Sequence, residues 1–112
     1  KVRYAAQKQC DKPTYGITVT DASGQTVFQS NTLWSQIKTE QLSAREAIAI
    51  DWKIPNAFNS GEFTISPAVA NYTGTVMYDW REGLGSFKVR KSLQSSAIIN
   101  TEHSIKVSKD TK

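Results

Sequence analysis

Residues 48–70, IAIDWKIPNAFNSGEFTISPAVA, restrict the fold more than any other stretch of the chain. Ile48, Ile50, Trp52 and Ile54 occupy every second position, with Ala49, Asp51 and Lys53 between them. That spacing matches the two-residue period of a strand with one face toward a core. Pro55, Asn56, Asn59, Ser60 and Gly61 interrupt the pattern, and Phe63, Ile65, Pro67 and Val69 then resume it opposite Glu62, Thr64 and Ser66. The two runs are predicted to be neighbouring antiparallel strands, with Trp52 packed inside.

The same reading extends in both directions. Val2 to Ala6 is expected to form a first strand, with Val2 and Tyr4 on one side. Tyr15, Ile17 and Val19 point inward and Thr18 and Thr20 outward, and Asp21-Ala22-Ser23-Gly24 supplies turn residues that lead to a partner strand over Thr26 to Gln29. From Ser30 to Arg45 the alternation vanishes, so a long loop is expected there, either an Ω-like loop pinned by Leu33 and Trp34 or a segment that carries a site. Asn71 to Gly74 reads as a turn, Thr75 to Trp80 as a strand, and Phe87 to Val89 as the second arm of a hairpin beyond Gly83 and Gly85. Weaker strands are expected at Ala97 to Ile99 and Ser104 to Val107, before a frayed end over 108–112. Short strands at turn-marked intervals, with no long helix and no repeat, predict one all-β domain over 1–112, an antiparallel immunoglobulin-like β-sandwich with a jelly-roll-like arrangement as the variant.

Three blocks within residues 2–90 are similar to a known family. Pro13-Thr14-Tyr15-Gly16-Ile17 precedes the polar turn Asp21 to Gln25 and the closing Ser30-Asn31-Thr32; a strand ending in Ile54-Pro55 leads to Asn59-Ser60-Gly61-Glu62-Phe63-Thr64-Ile65-Ser66; and Tyr78-Asp79-Trp80-Arg81-Glu82 is followed by Phe87-Lys88-Val89. In this order they resemble the C-terminal domain of Wzt-type proteins, the ATPase subunits of bacterial polysaccharide ABC exporters. The resemblance implies recognition of a finished O-antigen polysaccharide, at its modified non-reducing end, beside the transporter ATPase and membrane subunits at the cytoplasmic side of the inner membrane. It also implies one or two strands preceding Lys1; without them the exposed sheet edges would favour a homodimer, with exchange of a C-terminal strand such as Ile105 to Val107 as one form of it. Walker motifs are absent from the chain, so ATP hydrolysis would belong to a separate N-terminal domain. With neither an initiator Met nor a signal peptide, the chain is expected to be a piece of a longer protein.

Composition narrows the chemistry. A chain of 112 residues suits a single core, and no apolar run approaches the ~20 residues of a membrane-crossing helix. The net charge of +4 comes from scattered Lys and Arg, whereas a nucleic-acid surface needs a concentrated basic face. Cys10 is the only cysteine and His103 the only histidine, so neither a disulfide nor a Cys–His zinc set is expected, and no cofactor is implied. Asp79 and Glu82 are the one pair worth weighing for glycoside hydrolysis, and two carboxylates three apart are commonplace. No nucleophile motif or phosphate loop occurs, so the chain is expected to bind rather than to catalyse.

Sugars present apolar C–H faces together with many hydroxyls, which exposed aromatic rings and planar polar groups meet well. Trp34 in the long loop and Tyr72 in the turn are the exposed aromatic candidates. Val76, Tyr78 and Trp80 share one alternating face. If that face is outward, Tyr78 and Trp80 are stacking platforms; if it is inward, Asp79 and Arg81 are the polar candidates. A structural or protein–protein Ig-like module is the alternative, and single-stranded nucleic-acid binding, with its steep salt dependence, the third.

Overall fold

A computed structural model describes residues 1–92 and 95–109. Seven strands account for the regular structure of these residues: β1 (Val2–Ala5), β2 (Thr14–Asp21), β3 (Thr26–Asn31), β4 (Ala47–Ile50), β5 (Gly61–Ala70), β6 (Met77–Trp80) and β7 (Gly85–Val89). All pairings are antiparallel. A five-stranded sheet has β2 and β5 at its centre, and β1 with β4 makes a second, two-stranded sheet. The expected all-β, two-layer architecture is thus present.

The β2–β3 hairpin follows its turn chemistry. The Asp21 carboxylate accepts hydrogen bonds from the Ser23 and Gln25 backbone N–H groups and from the Ser23 hydroxyl, and Gly24 takes a φ of 87° that an L side chain disfavours. These bonds hold the Asp21 carboxyl below its ordinary pKa, the Ser23 hydroxyl contributing most.

β2 and β5 run side by side over eight paired residues, from Thr14 opposite Ala70 to Asp21 opposite Phe63. One face carries Tyr15, Ile17 and Val19 with Phe63, Ile65 and Pro67. Its far end is closed by Phe58, whose ring lies 5.2 Å from Phe63 and 5.6 Å from Phe87, around the buried Val19, Phe63 and Val89. Removing an aromatic ring such as Phe63 from water contributes about 1.5–3 kcal/mol. The near end is covered by the β1–β4 layer, where the Tyr4 and Tyr15 rings sit 5.0 Å apart.

Several expectations are corrected. Ile48, Ile50, Trp52 and Ile54 are each half-buried between exposed neighbours, so the alternation holds, but β4 pairs with β1 and not with β5. The residues from 51 to 60 carry the chain across from the small sheet to the large one. Thr18 and Ser66, read as outward, are buried: Thr18 lies low on the central strand of the second face, below the taller side chains at its edges, and the Ser66 hydroxyl accepts the Gly83 N–H. The proposed β6–β7 hairpin is absent. Both strands instead lie along the same edge of β5, β6 against residues 68–70 and β7 against 61–65. Between them the Arg81 N–H donates to the Pro67 carbonyl and the Gly83 N–H to the Ser66 hydroxyl, with Gly83 at φ 63°. The segment from Met77 to Val89 is therefore one strand with a jog.

Residues 32–46 form turns and a single bridge of Leu42 to Cys10, as a long loop should. It is pinned by the buried Thr32 and Leu42, whereas Leu33 and Trp34 are exposed. Neither Ala97 to Ile99 nor Ser104 to Val107 forms a strand; Ile99 makes an isolated bridge to Phe58, and Ile105 and Val107 are exposed. Of the frayed end expected over 108–112, residues 110–112 lie outside the described residues.

Candidate functional site

The second face of the large sheet is built from small side chains. Gly16 stands opposite Ala68 and Thr14 opposite Ala70 on the central strands, and Asn31 on β3 is paired with Gly16. Small residues at the centre and taller ones at the edges leave a groove of about 120 Å³. Trp34 and Gln29 line it on the β3 side, and Met77 and Trp80 on the β6 side. Trp34, Met77 and Trp80 all expose about half or more of their surface, at 62%, 55% and 44%.

Local structure places each wall. The Asn31 carboxamide oxygen accepts from the Trp34 backbone N–H at 2.7 Å, and the Thr32 hydroxyl accepts from the Tyr15 N–H at 3.1 Å while the Thr32 N–H donates to the Tyr15 carbonyl. The Asn31-Thr32 pair thus turns the chain out of β3 and anchors the turn that carries Trp34. On the other side, the Asn71 side-chain oxygen accepts from the Thr75 and Val76 N–H groups and closes the turn before β6. A β-carbon added at Gly74 of that turn would lie 3.5 Å from the Leu33 side chain, an ordinary contact distance, so the turns behind the two walls adjoin.

A shift of register between Val69 and Ala70 then decides the aromatics of β6. Trp80 pairs with Ala68 and Asp79 with Val69, but Ala70 pairs with Met77, so Tyr78 is the extra residue of a β-bulge. Trp80 and Met77 consequently line the groove, while Tyr78, Asp79 and Arg81 line a separate cleft on the opposite side of the sheet. The expectation that Tyr78 and Trp80 share a face is overturned by this bulge.

That cleft, about 780 Å³, opens between the β1–β4 layer and the large sheet. Two of its charged groups pair with each other. Arg81 Nε donates to both Asp79 carboxylate oxygens, at 3.2 and 3.0 Å, and the Tyr4 hydroxyl is 3.5 Å from the Ala68 carbonyl. The Tyr15 hydroxyl is buried with no hydrogen-bond partner. Burial, reinforced by Tyr15, pushes the Tyr4 phenol up to about 12, and burial with a smaller effect of Cys10 raises Tyr15.

Of the six candidate residues, Trp34 and Trp80 therefore meet in the groove; Tyr78, Asp79 and Arg81 meet in the cleft; and Tyr72, exposed in the turn, lines neither. Gln29, Asn31 and Met77 line the groove as well, beyond the six candidates. The closing Asn31-Thr32 was the signal available for Asn31, while Met77 depends on the bulge. Among the described residues no three His, Cys, Asp or Glu side chains gather as a metal site would need, and no helix is long and apolar enough to cross a membrane.

Comparison with known proteins points one way. Residues 1–101 match the family model described as the Wzt C-terminal domain. A solved structure described as the crystal structure of the C-terminal domain of Wzt aligns with a TM-score of 0.81 at 19% identity, over 94% of this chain and 66% of that one. The chain thus spans just under two thirds of that relative's length, and at this identity the likeness is one of fold. No curated protein matches the chain.

Proposed function

Because the chain belongs to the Wzt C-terminal domain family of polysaccharide ABC exporters, we propose that it binds bacterial O-antigen polysaccharide without altering it, at the modified non-reducing end, so that finished chains are selected for export. The observation that carries this reading is the groove flanked by Trp34 and Trp80 over the low floor of Gly16, Ala68 and Ala70. Aromatic rings accept the C–H face of a sugar, the shallow floor admits the ring edge, and the Gln29 and Asn31 amides supply neutral hydrogen-bonding groups for hydroxyls. About 120 Å³ is small beside the ~300–1,000 Å³ of an ordinary ligand pocket, so the groove would hold part of one sugar residue rather than a long segment, which suits reading a chain end.

One residue held in a shallow groove binds weakly, and a homodimer presenting two grooves beside the transporter raises the effective affinity. Exposed Ile105 and Val107 supply an apolar segment for exchange between two copies. The domain works next to the exporter's ATPase and membrane subunits, peripheral to the cytoplasmic face of the inner membrane. It needs no cofactor, and ATP hydrolysis resides in a separate domain. A protein–protein module is the second reading, favoured by the exposed Ile98, Ile99, Ile105 and Val107, which lie outside the groove.

Titration of the protein with the host's capped and uncapped O-polysaccharide, followed by amide and indole shifts in NMR, separates the two. Saturable shifts at Trp34 and Trp80 with the capped chain only are expected, and Trp34→Ala or Trp80→Ala should weaken binding at least ~10-fold, since stacking platforms of this kind carry most of the contact. If the folded protein shows no shifts with either polysaccharide, glycan binding is rejected in favour of the protein–protein module.

A further inference from the structure

The cleft on the other side of the sheet from the groove is bordered by every residue from 2 to 10 and by none of β4. It therefore runs along the edge of β1 that β4 leaves open. The Ala6 N–H donates to the Glu46 carbonyl, and bonding residues alternate along an antiparallel pair. Val2, Tyr4 and Ala6 thus commit their backbone groups to β4, while those of Arg3 and Ala5 point the other way, toward the cleft. Among the described residues no segment bonds to them. The opposite wall belongs to the large sheet and its edge, where Tyr78 and Leu84 are 49% and 65% exposed. The Tyr15 hydroxyl, on a residue only 1% exposed, lines the same cleft without a hydrogen-bond partner, and a carbonyl or carboxylate entering there would supply one.

An open strand edge facing exposed apolar side chains is a template for a further strand. Charge decides which strand fits. Arg3 and Lys8 border the cleft, and among the described residues neither has a carboxylate within ion-pair distance. Asp79 is the one acidic side chain of the lining, and Arg81 already neutralises it. A second copy of β1 laid along this edge would set its own Lys1, Arg3 and Lys8 beside the same cations, and like charges facing each other across a strand pair are destabilising. Carboxylates in those positions are stabilising instead. Side chains of a strand alternate between its two faces, so one set would stand outward beside Arg3 and the other inward against Tyr78 and Leu84.

We propose that the open edge of β1 takes up, as an added strand, an extended segment of a partner protein in which acidic and apolar residues alternate. Backbone bonds to Arg3 and Ala5 hold the segment, its apolar side chains cover Tyr78 and Leu84, and its carboxylates beside Arg3 and Lys8 select it. The site lies on the opposite side of the sheet from the groove and does not depend on what the groove binds.

The test uses capped peptides as long as residues 2–10, added to the protein at physiological salt and followed by NMR and amide hydrogen exchange. One alternates valine with glutamate and a second valine with lysine. Two more are the glutamate peptide with backbone N-methyl groups either on its glutamates, whose N–H groups would face β1, or on its valines, whose N–H groups would face away. The glutamate peptide should shift the Arg3 and Ala5 amides and the Tyr78 and Leu84 side chains saturably and protect those two amides from exchange. The lysine peptide should bind at least ~10-fold more weakly, and methylation should abolish binding at the glutamates and be tolerated at the valines. No binding by the glutamate peptide overturns the inference, as does equal binding when its glutamates are methylated. A lysine peptide that binds as well overturns the selection by charge. Protection of the Arg3 and Ala5 amides in the protein alone would mean that the edge is already covered, by a second copy where protection grows with concentration and by the protein's own chain where it does not, and would also overturn the inference. Arg3→Glu combined with Lys8→Glu, with the amide spectrum confirming the fold, should reverse the order of the glutamate and lysine peptides, and an unchanged order would refute the role of these two cations.

Discussion

The Tyr4 phenol shows how a single residue records the closing of the two layers. Its ring packs on Tyr15 and its hydroxyl lies 3.5 Å from the Ala68 carbonyl of the opposing sheet, in surroundings that raise its pKa to about 12. In the unfolded chain a tyrosine ionises near 10, so above that pH the unfolded state gains a charge that the folded state resists. The stability tied to Tyr4 is therefore intact below pH ~10 and is lost as pH rises toward 12. Tyr15, also raised by burial, acts in the same direction. Unfolding by urea across this range should show a midpoint that falls above pH ~10, and Tyr4→Phe should make the fall shallower. An equally steep decline in the variant would mean that Tyr4 stays protonated no more readily in the folded protein than in the unfolded one. Asp21 works at the other end of the scale. Its lowered pKa adds stability above the usual carboxylate range and loses it as acid protonates the turn.

Among the elements, the jogged strand from Met77 to Val89 matters most, because it positions one wall of the groove. Two features place its two halves along one edge of β5: the bulge opposite Ala70, and the step at Gly83, where φ is 63° and the N–H is bonded to the Ser66 hydroxyl. An added β-carbon at Gly83 would meet nothing within 4 Å, so a substitution there feels the backbone conformation alone. Gly83→Ala should cost about 1–2 kcal/mol, the ordinary penalty for a left-handed L-residue, and Gly83→Asn noticeably less. Both are readable as shifts in the denaturation midpoint. Equal losses for Ala and Asn would argue that the step is held by something other than its dihedral angle.

For the whole molecule, the radius of gyration of 18.6 Å exceeds the ~13 Å of a compact chain of about 100 residues. Residues 95–109 contribute no strand, and Ile105 and Val107 are 79% and 89% exposed. Apolar side chains this open gain by burial in a second copy, which is the physical content of the proposed homodimer. Sedimentation should reveal a dimer, and changing both residues to Asp should yield a monomer of unaltered fold. Substitutions at solvated positions otherwise change stability by no more than ~0.5 kcal/mol. A wild-type chain that sediments as a monomer would remove the dimer from the proposal and leave the groove unaffected.

Local patterns determined much of this protein. Alternation assigned the buried faces of Tyr15, Ile17 and Val19 and the half-buried set from Ile48 to Ile54, and Asp21 to Gly24 announced their turn, because side-chain period and turn chemistry are properties of adjacent residues. The Asn31-Thr32 pair was legible only through the family resemblance, and the exposure of Trp34 followed from its place in a loop rather than from any periodicity. The tertiary structure alone decided that β4 joins β1, that Ser66 and Thr18 are buried on the second face, and that Tyr78 and Trp80 part company. Strand pairing, bulges and two-sided burial depend on contacts between residues far apart in the chain. The periodicity of a strand states which side chains share a face, but not what lies beside the strand or on top of it.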